Sequence, residues 1–279
     1  MCLEGISLIQ DLGSHRLENQ YDPERIPAPE DFVIFWRDRS MLIAEGEELS
    51  FPTAAQAGDP EGLIYLFSVD GRGFFLGRDP VDLPGFRWLP SRRLRALPAA
   101  PKEYVFAAFT AMHLAEWYRR KRFCGACGET LNPDGRERAM TCPRCGEKYY
   151  PRINPAVIVG VINGDRLLIT RYREGNGISA LIAGFTEIGE TLEETVAREV
   201  MEEAGIRVKN IRYYKSQPWG VASDILAGFF CEVDGDDRIT MDRSELKYAR
   251  WVPRQEIILQ PTDYSLTNEK MRRFRDGEI

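Results

Sequence analysis

The chain has 279 residues, of which 43% are hydrophobic and 29% charged, and its net charge is −6. This length leaves room for two modest domains, each able to bury a core. An acidic chain lacks the basic surplus of a broad nucleic-acid surface, so we expect no DNA partner. Apolar runs stay well below the ~20 residues of a membrane span, and residues 1–14 lack a basic start followed by an apolar block. We therefore expect a cytoplasmic protein without a membrane partner.

Residues 1–101 are predicted to form a small β-rich domain. Short polar turns separate apolar runs in pairs, which is typical of hairpins. The paired runs are 32–36 with 41–44, and 63–69 with 74–76. The segment 87–95 is basic, and either a solvated edge or an arginine that contacts phosphate would account for it.

Residues 103–120 follow a boundary of prolines and alanines and show helical periodicity. We predict a linking helix over 102–121, with an apolar stripe that serves as a packing surface. His113 lies within this helix, and a structural role is favoured for it.

Four of the six cysteines form two Cys-x-x-Cys pairs, each followed by glycine. They are Cys124, Cys127, Cys142 and Cys145. Four thiolates at this spacing suit a closed tetrahedral site, so we predict a ribbon over 122–150 that holds one structural Zn²⁺. A redox role is disfavoured because a thioredoxin-like βαβ context is missing. We expect Cys2 to be an exposed thiol and Cys231 a buried residue in a strand.

Residues 151–279 are predicted to form a mixed sheet covered by two helices. Asn163-Gly164 indicates a tight hairpin between the first two strands. The predicted strands are 156–162, 166–170, 178–183, 207–215 and 224–233, and the closing helix is 263–275.

The segment 184–206 carries the clearest chemical signal. Thr191 and Glu194 form a capping box. Gly205 occupies the position at the C-terminal end of the helix where a left-handed backbone conformation is common. Between them, three glutamates fall at i, i+3 and i+4 on one helical patch: Glu199, Glu202 and Glu203. A solvated acidic face would explain such a patch, but hard cations such as Mg²⁺ or Mn²⁺ bind through carboxylates of this kind.

This segment resembles the box of the Nudix hydrolase family, whose members cleave a diphosphate linked to a nucleoside or similar group. The matching positions are Gly184, Glu190, Arg198, Glu199, Glu202, Glu203 and Gly205. The resemblance implies an α+β protein whose C-terminal part is an α/β/α sandwich with a mixed sheet.

The order of parts resembles the NADH pyrophosphatase subfamily more closely: a β-rich start, a four-cysteine ribbon, Tyr149-Tyr150-Pro151-Arg152, the box, and Ser216 to Trp219. That subfamily hydrolyses NAD(H) to nicotinamide mononucleotide and AMP, and some members remove NAD caps from RNA. Its pocket is built from two chains, which implies a homodimer. Here the loop after Trp219 reads Gly220-Val221-Ala222-Ser223 instead of the usual Pro-Phe-Pro-x, which puts nicotinamide recognition in doubt.

The resemblance also implies roles for individual residues. A catalytic Mg²⁺ or Mn²⁺ would be held by Glu199, Glu202, Glu203, Glu245 and the carbonyl of Ala183. Glu190 would pair with Arg198, and Glu203 would orient or deprotonate the attacking water. Substrate contacts would come from Arg93, Glu137, Tyr150, Gln217, Trp219 and Thr267.

Two alternatives stay open from the sequence. The altered loop could direct the enzyme to ADP-ribose or another nucleoside diphosphate derivative. The chain could instead be a zinc-ribbon nucleotide sensor without activity, although the intact glutamates argue against this.

Overall fold

The computed structural model describes residues 8–46, 48–58, 62–94, 97, 100–173 and 177–279. The expected exposure of Cys2 lies outside these residues. The described chain forms two compact units. The sheet unit contains residues 8–11, 153–219 and 224–279, and the ribbon unit contains residues 12–152 and 220–223. The predicted domain boundaries at 101, 121 and 150 stay predictions.

The first part of the ribbon unit consists of two small sheets. Its strands are β1 (Leu17–Glu18), β2 (Phe32–Ile34), β3 (Trp36–Arg37), β4 (Ser40–Ala44), β5 (Ile64–Val69), β6 (Arg72–Leu76) and β7 (Phe86–Pro90). One sheet has the order β1-β5-β6-β2 and the other the order β3-β4-β7. This confirms the predicted β-rich character.

Both predicted hairpins are present, as β3–β4 and β5–β6. Their turn residues, Asp38-Arg39 and Asp70-Gly71, all have positive φ, as tight hairpins with right-handed twist require. The prediction of one strand over 32–36 is wrong, because β2 and β3 belong to different sheets and β2 pairs in parallel with β6. Local alternation could not reveal that change of partner.

The described part of the ribbon unit also contains three helices: α1 (Ala54–Ala57), between β4 and β5, and α2 (Ser91–Leu94) and α3 (Lys102–Arg120), after β7. The long helix α3 confirms the prediction over 103–120, and it buries Phe109, Met112 and Ala115 of the predicted stripe. His113 Nε2–H donates a hydrogen bond to the carbonyl oxygen of Arg152 at 2.7 Å, which supports its structural role.

The ribbon itself contains three short antiparallel strands in the order β10-β9-β8. They are β8 (Asn132–Pro133), β9 (Met140–Thr141) and β10 (Lys148–Tyr149).

The sheet unit is built on one mixed sheet with the order β14-β15-β11-β12-β16, and β13 also pairs with β11. The strands are β11 (Asn154–Asn163), β12 (Arg166–Tyr172), β13 (Ile182–Phe185), β14 (Val208–Trp219), β15 (Asp224–Val233) and β16 (Leu246–Pro253). Among the described strands of this sheet, only β11 and β15 pair in parallel. Cys231 is fully buried in β15, as predicted.

Two helices cover this sheet from opposite faces: α4 (Leu192–Ala204) and α5 (Leu266–Arg275). Val157 and Val159 share a buried cluster with Val196 and Val200 of α4. The alternating residue Ile158 belongs to a second cluster with Phe274 of α5. Because side chains alternate across a strand, this is the predicted α/β/α sandwich.

Four details of the sheet unit differ from the sequence prediction. The first hairpin turns at Gly164-Asp165, because Asn163 already pairs with Arg166. The strand expected over 178–183 begins later, at Ile182, and the helix expected from residue 263 begins after Ser265, whose side chain accepts a hydrogen bond from Asn268 N–H. The edge strand β16 was not predicted. Within the described residues, no helix combines the length and apolarity needed to cross a membrane.

Candidate active site

The helix α4 begins and ends as its sequence predicts. Thr191 accepts a hydrogen bond from Glu194 N–H at 3.2 Å, and the Glu194 carboxylate accepts one from Thr191 N–H at 2.8 Å. Gly205 has a φ of 69°, and its N–H donates to the carbonyl of Met201. These caps fix the register in which the box glutamates are presented.

Glu203 is the most deeply buried acid of the box, with 2% of its surface exposed. Burial raises its pKa to about 8, and the negative charges of Glu199 and Glu245 act in the same direction. The sheet unit therefore holds a carboxyl group whose charged form is costly unless a cation accompanies it.

Tyr172 fixes the position of this carboxyl group and was not singled out from the sequence. Its hydroxyl lies 2.9 and 3.1 Å from the two Glu203 oxygens, so it donates its proton to that carboxylate. The hydroxyl oxygen of Tyr172 also accepts a hydrogen bond from Ala183 N–H at 3.0 Å. Tyr172 thus joins Glu203 to the backbone of Ala183, two groups predicted to bind the catalytic cation. Tyr172 lies at the end of β12 and next to no motif residue, so no sequence pattern indicated its contact with Glu203.

Glu199 lies against the backbone of Gly184, which explains why glycine stands there. A Cβ atom at this position would lie 2.0 Å from the Glu199 carboxyl group, far inside contact distance. Glu199 is 9% exposed, and burial raises its pKa. Strand β13 and helix α4 therefore approach so closely that only a glycine leaves room for the carboxylate.

Arg198 and Glu190 form the predicted ion pair, and it is bidentate. Arg198 Nε donates to Glu190 Oε1 at 2.6 Å and Nη2 to Oε2 at 3.0 Å, which lowers the Glu190 pKa to about 2. Arg198 also donates to the carbonyl of Phe185 and to the carboxylates of Glu199 and Glu202. One guanidinium group thereby ties β13 and the loop before α4 to the acidic face of that helix.

The acidic group suits a hard divalent cation by its chemistry. Glu199 and Glu203 are buried, and Glu245 is near enough to raise the pKa of both. Carboxylate oxygens are the ligands that Mg²⁺ and Mn²⁺ prefer, although within the described residues no three of these carboxylates lie within 4.8 Å of one another. Glu202 is more exposed, with 59% of its side-chain surface accessible. The residues thus fit a divalent cation held chiefly by the buried pair.

The predicted substrate contacts of the sheet unit occupy different environments. Gln217 is fully buried, and its amide donates to Gln10 and to the carbonyl of Tyr264 and accepts from Leu266 N–H. Its side chain thus supports the start of α5, where Thr267 lies half-buried in the first turn. Trp219 is the half-buried last residue of β14. The substrate contacts of these residues stay predictions.

In the ribbon unit, the structure brings Glu137 and Tyr150 together. The Tyr150 hydroxyl and Lys148 both hydrogen-bond to Glu137, and the distance from Lys148 Nζ to Glu137 Oε1 is 2.6 Å. Tyr150 remains 55% exposed, which leaves its ring accessible for stacking. Arg93 lies exposed on α2. These substrate contacts also stay predictions.

The four cysteines of the ribbon converge on one point. Their sulfur atoms all lie within 4.8 Å of one another, and within the described part of the chain no other set of three or more His, Cys, Asp or Glu side chains converges in this way. The Tyr149 hydroxyl, 3.4 Å from Cys124 Sγ, lowers the pKa of that thiol to about 6. Four convergent sulfurs favour the predicted structural zinc over a redox pair.

The glycine after each cysteine pair closes a turn around the sulfurs. Gly128 and Gly146 have φ values of 75° and 76°, and each donates its N–H to the carbonyl of the first cysteine of its pair. This turn aims the intervening amides of Ala126 and Cys127 at the Cys124 sulfur. The same backbone geometry at both pairs is what a tetrathiolate site requires.

The loop 220–223, whose sequence differs from the subfamily pattern, has space only for glycine at its first position. A Cβ atom on Gly220 would lie 2.3 Å from the carbonyl oxygen of Phe109 in α3. A proline at this position would clash with the helix backbone. The loop 220–223 therefore follows a path that its own sequence permits and the usual Pro-Phe-Pro sequence does not.

Comparisons with known proteins agree with this architecture. The family described as NUDIX domain matches residues 152–274, and the one described as NADH pyrophosphatase zinc ribbon domain matches residues 119–150. Proteins named NAD-capped RNA hydrolase NudC from Enterobacter sp. (strain 638) and Shigella flexneri are 46% identical over 151 residues, which is 54% of this chain and 58% of theirs. The match thus spans little more than half the length of these relatives.

Among solved structures, a Nudix hydrolase from Nitrosomonas europaea aligns with 56% of this chain and 91% of its own, at 25% identity and a TM-score of 0.49. The fold of residues 152–274 and the carboxylates of α4 define a Nudix domain. The chain thus contains a NUDIX domain at residues 152–274, preceded at residues 119–150 by an NADH pyrophosphatase zinc ribbon domain.

Proposed function

We propose that this protein hydrolyses the pyrophosphate bond of NAD(H) to nicotinamide mononucleotide and AMP in the presence of Mg²⁺ or Mn²⁺. The observation that carries the proposal is the pair of buried carboxylates, Glu199 and Glu203, on the capped helix of a Nudix domain. The NADH pyrophosphatase ribbon supports the choice of substrate.

Each part of the acidic group has a distinct task in this proposal. Glu199, Glu203 and the Ala183 carbonyl would hold the cation, and Glu202 and Glu245 would contribute from the exposed side. When bound, a divalent cation would supply neutralisation of charge on the phosphate oxygens and on the leaving phosphate. Glu203 orients or deprotonates the water that attacks phosphorus in line, and Tyr172 keeps its carboxylate in place.

Substrate binding is assigned to both units. Trp219 or Tyr150 stacks on a base, which contributes about 1–3 kcal/mol. Arg93, Glu137, Gln217 and Thr267 complete the contacts. Residues of the ribbon reach the active site of a second copy, so the active form is a homodimer, and the protein works in the cytoplasm. One structural zinc in each chain holds the ribbon in shape.

Replacing Glu203 with Gln tests the proposed chemistry. NADH hydrolysis in the presence of Mg²⁺ or Mn²⁺ should fall by roughly 10²–10⁴-fold, since the variant loses a carboxylate needed for the cation and the water. The matched control is Glu193→Gln, an exposed residue on the same helix, which should keep full activity. Unchanged turnover in Glu203→Gln would contradict the mechanism and favour a nucleotide sensor.

A second substrate class is favoured by the relatives, whose name is NAD-capped RNA hydrolase. Because the loop 220–223 differs from the subfamily pattern, ADP-ribose is the competing small substrate. Turnover of NADH, NAD⁺, ADP-ribose and NAD-capped RNA by one preparation ranks these candidates. A kcat/KM for ADP-ribose above that for both NAD forms would replace the proposed substrate while leaving the bond cleavage intact.

A further inference from the structure

The loop between β8 and β9 carries Glu137, and we call residues 134–139 the ribbon loop. The carboxylate of Asp134 accepts hydrogen bonds from the N–H groups of Arg136 at 2.9 Å and Glu137 at 3.3 Å. It also accepts one from the Thr141 hydroxyl at 2.9 Å. The flanking strands have two residues each, and strands this short stabilise little by themselves. The position of the ribbon loop therefore depends on contacts beyond the ribbon.

Arg138 attaches the ribbon loop to the sheet that contains β1 and β5. Its Nη2 donates hydrogen bonds to the carbonyl oxygens of Leu66 at 2.6 Å and Asn19 at 3.1 Å. Strand β5 has a bulge at Leu66, where its register with β6 shifts between Tyr65 and Phe67. A bulge takes its extra residue out of the regular ladder. The Leu66 carbonyl thus accepts from the Arg138 side chain at the point where strand pairing is interrupted.

Tyr21 binds the first residue of the ribbon loop. Its hydroxyl donates to the carbonyl of Asp134 at 2.7 Å, and its ring centre lies 5.3 Å from the guanidinium carbon of Arg138. Tyr118 of α3 lies beside the same guanidinium group. Burial raises the pKa of Tyr118 to about 12, and the charge of Arg138 acts in the opposite direction. Both ends of the ribbon loop are therefore held by residues that precede the ribbon.

Glu137 precedes Arg138 in the chain and has different partners. Its carboxylate accepts hydrogen bonds from Lys148 Nζ at 2.6 Å and from the Tyr150 hydroxyl, and 42% of its side-chain surface is exposed. The ribbon loop is thus attached through one residue and presents an accessible carboxylate through the residue before it. Because the two share the backbone of one short loop, release of Arg138 would change where Glu137 lies.

We propose that Arg138 is a positioning residue for substrate binding, which holds the ribbon loop against the sheet of β1 and β5 so that Glu137 meets the dinucleotide in one fixed geometry. This inference rests on the proposed function, in which Glu137 contacts the substrate. A side chain that is fixed beforehand binds with a smaller loss of conformational freedom. Strands β1 and β5 thereby influence substrate affinity, although neither contains a predicted substrate contact.

The test is a double-mutant cycle on Arg138 and Glu137 with NADH as substrate. In Arg138→Gln, KM should rise about tenfold while kcat stays within about twofold, because a binding contact is weakened and the cleavage chemistry is not. Glu137→Gln should raise KM by a similar factor. In that background, Arg138→Gln should change KM by less than about twofold, since its effect passes through Glu137.

Arg136→Gln is the matched control. It removes the same charge from an exposed arginine of the same loop and should leave KM at the wild-type value. An unchanged KM in Arg138→Gln would overturn the proposal. So would a full tenfold effect of Arg138→Gln in the Glu137→Gln background, because Arg138 would then act independently of Glu137.

Hydrogen–deuterium exchange without substrate separates attachment of the loop from folding of the ribbon. In Arg138→Gln, the amides of Arg136 and Glu137 should exchange about tenfold faster than in the wild type. The amides of Gly128 and Gly146, which close the cysteine turns, should exchange at the wild-type rate. Faster exchange at all four amides, or loss of zinc, would overturn the proposal, because Arg138 would then hold the whole ribbon together.

Tyr21→Phe decides the question if Arg138→Gln fails to fold. It removes the hydroxyl group that binds the Asp134 carbonyl and keeps the ring, so KM should rise about threefold with kcat unchanged. An unchanged KM in this variant would contradict the role of the attachment. Absence of NADH hydrolysis in the wild type would overturn the proposed function. The affinity of Arg138→Gln and Tyr21→Phe for NADH, measured by NADH fluorescence without divalent cations, would then test the positioning role.

Discussion

Glu203 is the most deeply buried acidic residue of the candidate site. Its pKa of about 8 lies above the ordinary value for a glutamate, so folding favours its protonated form. Its contribution to stability is complete below about pH 4.5 and is lost as the pH rises toward about 8. Above that range, the folded protein without a divalent cation carries a buried negative charge.

Glu203→Gln should therefore gain stability while it loses activity. In buffer without divalent cations at pH 8, we expect its free energy of unfolding to exceed that of the wild type by about 2 kcal/mol. Urea unfolding at several pH values measures this difference, which should shrink toward pH 4.5 because the wild-type carboxyl group is then protonated. A variant less stable than the wild type at pH 8 would mean that the burial is not costly.

Tyr172→Phe removes one hydroxyl group and keeps the ring. Glu203 and Ala183 N–H each lose a partner, so we expect a cost of about 1–2 kcal/mol in stability. The divalent cation concentration for half-maximal activity should rise by about 10–100-fold, as for other residues that orient metal ligands. Tyr213→Phe, at an exposed tyrosine of β14, is the matched control. An unchanged cation requirement would limit Tyr172 to a structural role.

Individual residues were predictable where a local pattern defines them. The spacing of Glu199, Glu202 and Glu203 follows from one helix, and the four cysteines follow from two short repeats. Tyr172 reaches Glu203 from another strand, so no local pattern could single it out. The burial of Gln217 could not be predicted either, because its hydrogen-bond partners are distant in the sequence.

At the scale of elements, the close approach of β13 and α4 determines the site. Gly184→Ala should push the Glu199 carboxyl group away, because the added methyl group would lie 2.0 Å from it. We expect kcat for NADH to fall by roughly 10²-fold, as for small displacements in other active sites. Gly135→Ala, with no atom within 4 Å of its added methyl group, should keep wild-type activity. Similar turnover in both variants would show that β13 can shift to accommodate the added methyl group without loss of activity.

Helices were predicted more accurately than strands, for physical reasons. The caps of α4 are made by residues within a few positions of each other, so both ends could be read directly. Strand pairing depends on partners far away in the chain. The edge strand β16 and the separate pairing of β2 therefore escaped prediction, although the mixed character of the larger sheet did not.

At the scale of the molecule, the four convergent sulfurs predict that the ribbon depends on a bound zinc ion. Cys142→Ser removes a buried ligand, and zinc content should fall from about one per chain to near zero. Cys231→Ala, which removes a buried thiol outside the ribbon, should keep its zinc. Elemental analysis of protein purified without chelators makes the comparison. Equal zinc in both variants would contradict a site built from the four convergent sulfurs.

Contacts made by Gln10 limit how the protein can be cut into separate fragments. Gln10 accepts a hydrogen bond from the buried amide of Gln217 and donates one to the carbonyl of Ser216. An excised fragment that starts at residue 151 would leave the Gln217 amide short of a partner in the interior, at a cost of about 1–3 kcal/mol. Limited proteolysis that removes residues 8–11 should accordingly loosen β14 at the far end of the sequence. A minimal expression fragment of the sheet unit therefore needs residues 8–11 as well as the C-terminal part of the chain.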